Sequence, residues 1–360
     1  MINKIKIKDI GEVISGSTPK TNIKEYWNGN NNWITPAELT DKSYLINETE
    51  RKITDLAIEK TSLKKLPKGT VLLTSRAPIG KVAIANTDMY CNQGFKNIVC
   101  NEKIYNKFLY YFLKSKTDYL NSLGRGATFK EISKGIVENI DIPYYEFEEQ
   151  KLIVNKLDIV QDLISLKEEQ IKDLDNLIKS MFIDMFENKE YPKEEFTNIS
   201  KEIYAGGDKP KDISQIKDEK YLYPVYANGF ENEGLQGYSK EYRTENEAVT
   251  ISARGTIGYS FVRDGKFTPI VRLITIIPNE RVKAVYLKYA IDNLNIAGSG
   301  TSQAQLTVPN IKKHKITIPP IELQNRFTDF VKQIAKQKDD IVKKIEELQK
   351  VYEGLTSEYF

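Results

Sequence analysis

Two long segments of the chain repeat apolar residues at alternating spacings of four and three positions, and the copies lie 174 residues apart (327 − 153 = 174). This heptad spacing predicts two long helices that pack together as a coiled coil. Polar interruptions at Lys167 and Lys338 are expected to fix the register of the pair. The predicted contact positions are Ile153, Leu157, Val160, Ile164, Ile171, Leu174 and Ile178 in the first helix and Phe327, Val331, Ile334, Ile341, Ile345 and Leu348 in the second.

The sequence before each helix has the alternating strand and helix signals of a mixed α/β unit, and the two units match in order. Strand-like runs at 71–73 and 249–252 each lead into a glycine-containing turn, at 76–80 and 254–258. Residues 28–44 are predicted as a loop that has no similar counterpart at 226–242. A two-fold relation between the copies requires antiparallel helices. We therefore predict an α+β fold with a pseudo-two-fold internal repeat: two tandem mixed α/β domains separated by two long helices in an antiparallel coiled coil.

The predicted boundaries place the first domain at 1–145, the central heptad helix at 146–187, the second domain at 188–320 and the C-terminal heptad helix at 321–360. Residues 1–145 carry 22 Lys/Arg against 15 Asp/Glu, whereas residues 146–186 carry 5 against 10. This distribution favours phosphate contacts on the domains and protein contacts on the helices. Ordinary charge scatter is the alternative, because residues 187–317 carry only 19 against 17.

Composition excludes several classes of protein. No apolar run approaches the ~18 residues of a membrane span, so no membrane partner is expected. Two cysteines cannot build a disulfide framework, which favours a cytoplasmic location. A single histidine, His314, argues against a His-based metal site or catalytic triad, so no metal is expected.

No set of residues predicts catalysis. Gly80 and Lys81 lack the spacing of a P-loop, since Ser75 and Val82 stand where the motif needs Gly and Ser/Thr. The run 141–144 is similar to an adenine-methyltransferase motif, but the second copy has Thr317 in place of the acid, and a role at the start of a helix explains both copies. We therefore expect a protein that is not an enzyme, with no catalytic residue.

Candidate DNA contacts cluster in the turns. Arg76 and Arg254 are equivalent, and a guanidinium there suits a phosphate or a guanine edge, with a structural ion pair as the alternative. Amide side chains suit adenine, although ordinary turns use them as well. The full candidate set is Arg76, Lys81, Arg125, Lys130, Asn30, Asn31 and Asn32 in the first domain and Asn228, Arg254 and Gln303 in the second.

Several short motifs, taken together, resemble those of a known family. They include Gly-Ser-Thr-Pro at 16–19, Trp-Ile-Thr at 33–35, Asn-Gln-Gly-Phe at 92–95, Tyr-Ala-Asn-Gly at 226–229 and Ile-Pro-Pro at 318–320. In two tandem copies with heptad helices, this set is similar to the specificity subunits of Type I restriction–modification systems. The second copy departs from the first, because Arg-Leu-Ile at 272–274 stands where the first has Gln-Gly-Phe at 93–95.

The resemblance implies a non-catalytic reader of double-stranded DNA. Each domain would be a target recognition domain for one half of a bipartite site, and the helices would set the spacer and dock two adenine-methyltransferase subunits. Those partners would carry S-adenosylmethionine, so this chain would hold no cofactor, and motor-nuclease subunits would cleave. The alternatives are a specificity subunit of a methylation-only or phage-exclusion system, and a coiled-coil adaptor that does not touch DNA.

Overall fold

The computed structural model describes residues 3–76, 78–126, 130–187, 189–294, 296 and 305–360. The chain divides into two compact units. Unit 1 comprises Met1–Leu166 and Lys344–Phe360, and unit 2 comprises Lys167–Lys343. Both boundaries between the units fall inside long helices, so each long helix contributes residues to both units.

Unit 1 is built on a five-stranded sheet of order β2-β9-β6-β7-β4, a three-stranded sheet of order β5-β3-β8, and the antiparallel pair β1-β10. Its strands are β1 (Lys4–Lys6), β2 (Gly11–Ser15), β3 (Trp27–Ile34), β4 (Leu45–Ile46), β5 (Lys52–Ile53), β6 (Val71–Leu73), β7 (Val82–Ala85), β8 (Tyr90–Cys91), β9 (Lys96–Cys100) and β10 (Asp141–Pro143). Its short helices are α1 (Ile7–Ile10), α2 (Asp55–Lys60), α3 (Asn106–Ser115), α4 (Thr117–Ser122) and α5 (Lys134–Glu138).

The core of unit 1 lies between the larger sheet and α3. Every residue from Phe108 to Leu113 is buried, and Tyr110 and Tyr111 belong to this core. Burial of so many large side chains fixes α3 on the sheet, since each apolar side chain contributes about 1.5–3 kcal/mol.

Unit 2 repeats this plan with one strand fewer in the larger sheet. The sheets have the orders β12-β18-β15-β16 and β14-β13-β17, with the antiparallel pair β11-β19. The strands are β11 (Lys193–Glu195), β12 (Ser200–Ala205), β13 (Tyr223–Tyr226), β14 (Leu235–Ser239), β15 (Ala248–Ile251), β16 (Ser260–Arg263), β17 (Thr268–Pro269), β18 (Ile274–Pro278) and β19 (Lys315–Thr317). The short helices are α7 (Phe196–Ile199), α8 (Ala284–Asn293) and α9 (Val308–Lys312).

The smaller sheets correct one prediction. The segment predicted as a loop from residue 28 contains strand β3, which pairs in parallel with β8. Unit 2 has the same parallel pairing between β13 and β17. Asn, Gly and Trp residues hid the strand, because backbone ladder bonds do not require the alternating apolar pattern that the sequence lacks here.

A buried glutamine marks the start of each long helix, and the two copies are bonded alike. Gln150 accepts a hydrogen bond from the Tyr105 backbone N–H at 2.8 Å and donates to the carbonyls of Lys103 and Tyr145. Its counterpart Gln324 accepts from the Lys283 N–H at 2.9 Å and donates to the carbonyls of Arg281 and Pro319. Both glutamines are fully buried.

The long helices are α6 (Phe147–Phe182), which continues into a π-helical turn at Ile183–Glu187, and α10 (Ile321–Tyr359). In unit 1 the first part of α6 meets the end of α10, where the Lys156 ammonium donates to the Tyr359 hydroxyl at 2.8 Å. In unit 2 the last part of α6 meets the beginning of α10, where the rings of Phe182 and Phe327 lie 5.5 Å apart. The two helices are therefore antiparallel.

The heptad positions are all buried or half-buried. Ile153, Leu157, Val160, Ile164, Ile178, Phe327, Ile334 and Ile341 are buried, and Ile171, Leu174, Val331, Ile345 and Leu348 are half-buried.

The two lysines that interrupt the heptads behave differently. The Lys338 ammonium contacts Asp175 on the other helix at 2.7 Å, whereas Lys167 donates to Gln170 on its own helix. Of these two, only Lys338 therefore has a described contact that could fix register between the helices.

Candidate nucleic-acid interface

The turn between β6 and β7 holds Arg76 on a tightly bonded backbone. The Thr74 N–H donates to the Lys81 carbonyl, and the Gly80 N–H donates to the Thr74 carbonyl at 3.0 Å. Gly80 has a φ of +91°, which an L side chain would adopt only with strain. Backbone hydrogen bonds therefore hold the two ends of this turn together.

The half-exposed Arg76 guanidinium pairs with the Glu131 carboxylate, with Nε to Oε2 at 2.9 Å. The Lys96 ammonium, which is almost fully buried, contacts the same carboxylate at 3.1 Å. Partial burial raises the pKa of Glu131, but hydrogen bonds from Lys96 and Arg76 outweigh it and leave that pKa below its usual value. The Glu131 carboxylate therefore pairs with two cations. The structural ion pair that the sequence analysis gave as the alternative role of Arg76 is present.

Unit 2 has the same turn between β15 and β16. The Ser252 N–H donates to the Tyr259 carbonyl, and the Gly258 N–H donates to the Ser252 carbonyl at 3.0 Å. The exposed Arg254 guanidinium donates to Gln305 Oε1 at 3.2 Å. Arg76 and Arg254 therefore occupy equivalent positions, but one contacts a carboxylate and the other a neutral amide.

The other cations of the candidate set differ in accessibility. Lys81 is half-buried and its ammonium donates to the Leu39 carbonyl at 2.7 Å, so this lysine is occupied within unit 1. Arg125 forms a backbone bridge with Glu131, while its side chain is exposed. The side chains of Arg125 and Lys130 have no ion-pair partner among the residues that the structure describes. Gln303 lies outside the described residues.

The three asparagines of unit 1 lie on strand β3, not in a loop. Asn31 donates to the Asp55 carboxylate at 2.9 Å, and Asn32 donates to the Asn47 carbonyl at 3.2 Å. Asn30 is exposed. Of the three, Asn30 is the best placed to contact a ligand, because the other two amides hold neighbouring segments together.

Asn228 in unit 2 connects two loops. Its amide nitrogen donates to the Val271 carbonyl at 2.8 Å, and its side-chain oxygen accepts from the Ala253 N–H at 2.7 Å. With both ends of the amide used by backbone groups, Asn228 holds loops in place.

Sequence reasoning missed two buried cations that support this region. They are Lys96 beneath Arg76, and Arg263, which is 3% exposed and bonded to Glu233 at 2.7 Å. Neither lies in a recognisable motif. The signal available was a positive charge at one end of a predominantly apolar run, at Lys96, the first residue of β9, and at Arg263, the last residue of β16.

Within the described parts of the chain, no group of three or more His, Cys, Asp or Glu side chains is arranged to hold a metal ion. None of the helices described there has the length and apolar character needed to cross a membrane.

The chain is similar to known proteins along most of its length. The sequence profile for the Type I restriction modification DNA specificity domain matches residues 2–176 and 195–350. The Type I restriction enzyme MjaIX specificity subunit of Methanocaldococcus jannaschii is 33% identical over 392 aligned positions, which cover 97% of this chain and 90% of that protein.

Two solved structures share the fold. One, from work on complex assembly and conformational transition of the Type I system, has a TM-score of 0.63 at 18% identity and covers 99% of this chain and 97% of its own. The other, the S subunit from M. genitalium, has a TM-score of 0.59 at 17% identity and covers 100% and 96%. The chain belongs to the Type I restriction–modification DNA specificity family, whose members recognise DNA targets and are not themselves enzymes.

Proposed function

We propose that this chain is the specificity subunit of a Type I restriction–modification complex and that each unit recognises one half of a bipartite DNA target. The observation that carries the proposal is the duplicated turn. The same backbone hydrogen bonds present Arg76 in unit 1 and Arg254 in unit 2, each within a different set of side chains. A common scaffold with different side chains suits two different half-sites.

The arginines suit DNA because each is exposed enough to exchange its present partner for a phosphate or a guanine edge. Arg76 is 46% exposed, and pairs of this exposure contribute at most about 1 kcal/mol. A bidentate contact with guanine contributes about 1–3 kcal/mol of discrimination. The Glu131 pair therefore holds Arg76 in place without preventing it from binding DNA.

We assign the helices the spacing and docking roles. The 36 residues of α6 span about 54 Å at ~1.5 Å per residue, which gives room for a gap between half-sites. A second apolar stripe on α6 stays exposed, and its members in unit 1 are Leu152, Ile159, Leu163 and Leu166. Exposed apolar side chains at heptad spacing favour a protein partner.

The partners proposed for that stripe are two adenine-methyltransferase subunits, which would supply S-adenosylmethionine. Motor-nuclease subunits would join the same complex to cleave DNA.

The half-site assignment is tested with the full chain bound to its methyltransferase subunits. Methylated adenines sequenced in cells that express the complex define the target, and duplexes with either half scrambled then measure binding. Arg76→Ala is expected to weaken recognition of one half by about 1–3 kcal/mol and to leave the other intact. Lys60→Ala, which removes one exposed charge on α2, is the matched control.

Equal loss at both halves would contradict the assignment of one unit to one half-site. Absence of any salt-dependent affinity for DNA would instead favour an adaptor that does not bind DNA.

The spacer role is tested by inserting matched heptads into α6 and α10, so that the antiparallel contact keeps its register. Seven residues add about 10.5 Å, or about three base pairs at ~3.4 Å each. The methylated target should show a gap longer by about that amount. An unchanged gap would remove the spacer role.

A further inference from the structure

Three loops of unit 2 meet around Asn228. They are the loop that follows β13, the turn that carries Arg254, and the segment before β18. Besides the two bonds of the Asn228 side chain, the Gly229 N–H donates to Ser252 Oγ at 3.1 Å. Side chains from these loops therefore share one surface, and their backbones are fixed relative to one another.

The segment before β18 is strained. Val271 and Arg272 have φ values of +51° and +63°, in the left-handed region that non-glycine residues rarely adopt and β-branched residues avoid. Hydrogen bonds hold them there: the Val271 N–H donates to the Gly207 carbonyl at 2.7 Å, and the Arg272 N–H donates to the Gly206 carbonyl at 3.1 Å. Strain that is held in this way is characteristic of sites that position a functional side chain.

The neighbouring loop is fixed by a buried cation. Asn232 and Glu233 also have positive φ values. The Arg263 guanidinium bonds both the carboxylate and the carbonyl of Glu233, donates to Thr250 Oγ1 at 3.0 Å, and lies 3.7 Å from the centre of the Tyr226 ring. The carboxylate of Glu233 is thereby paired with a cation, which reduces its repulsion of a nucleic acid at this surface.

The side chains on this surface are exposed and of two kinds. Arg272 is exposed, and its guanidinium has no partner among the described residues. Phe230 and Tyr259 are 58% and 47% exposed, and their rings contact each other at 4.8 Å. The two exposed aromatic rings are costly in water. With an exposed guanidinium from the neighbouring segment, they suit a ligand that offers both π-faces and hydrogen-bond acceptors, as bases do.

Unit 1 has a glycine at the position of Arg272. The strand before the turn pairs Val249 with Ile276 in unit 2 and Val71 with Ile98 in unit 1. Both pairs have the offset that relates the two turns (254 − 76 = 178), so Gly94 occupies the position of Arg272, and not Gln93 as the sequence comparison predicted. A Cβ at Gly94 would lie 2.7 Å from Pro36 Cγ, so a side chain there requires Pro36 to move. The feature is thus specific to the unit that would recognise the second half-site.

Resting on the proposed function, we propose that Arg272 and the Phe230–Tyr259 pair determine the specificity of unit 2. The Arg272 guanidinium donates to O6 and N7 of a guanine in the second half-site, and Phe230 packs against an adjacent base or thymine methyl group. Exposed Glu231 in the same loop disfavours a simple phosphate-binding patch and is compatible with contact to base edges.

The test measures binding of the full chain, with its methyltransferase subunits, to the intact target and to a duplex whose second half is scrambled. Arg272→Gly removes the guanidinium, and glycine adopts a positive φ without strain, so the variant should fold at least as well as the parent. We expect its discrimination between the two duplexes to fall by about 5- to 150-fold. Phe230→Ala should lower discrimination of the same half, and discrimination of the first half should not change.

Arg281→Ala is the control of equal charge, because Arg281 also lies in unit 2 but is paired with Glu194. Arg272→Lys keeps the charge and a donor but loses the planar bidentate geometry, so it should keep part of the discrimination while the dependence of affinity on salt stays the same.

If Arg272→Gly discriminates like the parent, the proposed base contact is wrong. If the parent itself does not distinguish a scrambled second half, the bipartite function fails first. The parent's behaviour therefore separates failure of the two proposals.

Discussion

Both units pack aromatic rings between a long helix and a short one, but unit 1 adds a polar acceptor on α6. In unit 1, Asp158 of α6 accepts hydrogen bonds from the hydroxyls of Tyr44 at 2.8 Å and Tyr111 at 2.5 Å, and it pairs with Lys107 at 3.0 Å. In unit 2, Phe327 of α10 packs against the Tyr289 ring of α8 at 5.3 Å and against the Phe182 ring of α6 at 5.5 Å. A polar acceptor demands particular partners, whereas an aromatic cluster demands mainly volume.

The parts that do not differ are the backbone turns and the buried glutamines. Gln150 and Gln324 make the same three hydrogen bonds. The two units therefore share the hydrogen bonds that fix the backbone. They differ in the side chains that face the long helices or the solvent.

The largest expected effect is at the aromatic cluster. Phe327→Ala should lower the free energy of unfolding of unit 2 by about 3–5 kcal/mol, because Phe327 is fully buried and its removal leaves a cavity. Native-state hydrogen exchange of core amides in unit 2 measures the change. Val342→Ala, at a 44% exposed position of the same helix, should change it by less than about 0.5 kcal/mol. A loss below about 1 kcal/mol for Phe327→Ala would show that the cluster repacks.

The polar attachment of unit 1 should be weaker but sensitive to pH. Asp158→Asn should cost about 2 kcal/mol, because hydrogen bonds to charged groups contribute about 1.5–3 kcal/mol and this carboxylate keeps some exposure to water. Asp162→Asn, at an exposed position on the same helix, is the control.

The pH readout follows from the tyrosines. Burial, and secondly the hydrogen bond to Asp158, raises the pKa of Tyr44 and of Tyr111 well above the usual tyrosine value of about 10. Their neutral forms thus stabilise the fold below about pH 10, and this stabilisation is lost as the pH rises further. In Asp158→Asn these tyrosines should ionise at lower pH, which tyrosinate absorbance detects. An unchanged titration would mean that Asp158 does not influence them.

The helices and the repeat could be predicted from sequence because their signals are local. A period of 3.5 residues is visible in any stretch of two or three heptads, and both copies carry it. The paired turns were also predictable, because glycine at 80 and 258 marks the same backbone conformation.

The side-chain partners could not be predicted, because they depend on contacts distant in sequence. Glu131 lies 55 residues from Arg76, and no pattern links them. Strand β3 was not predicted, because most of its residues are polar or glycine. The sequence comparison aligned Gln93 with Arg272, whereas the strand registers align Gly94 with it. The similarity of the two loops alone does not determine this alignment.

The smallest expected effect comes from exchanging the partners of the equivalent arginines. Gln305→Glu gives Arg254 the kind of partner that Arg76 has in unit 1. A carboxylate there would compete with DNA phosphate for the guanidinium, so affinity for the intact target should fall by about 1 kcal/mol, or about fivefold. The slope of log affinity against log salt should also decrease by about one.

The reverse change, Glu131→Gln, should strengthen binding by a similar amount, but it also leaves buried Lys96 without its carboxylate and should destabilise unit 1. Gln305→Glu is therefore the cleaner experiment, and Gln236→Glu, which adds the same charge at another exposed position of unit 2, is its control. If both glutamate variants bind equally, the effect is one of net charge. If Gln305→Glu alone weakens binding, the amide partner is what leaves Arg254 more available to DNA than Arg76.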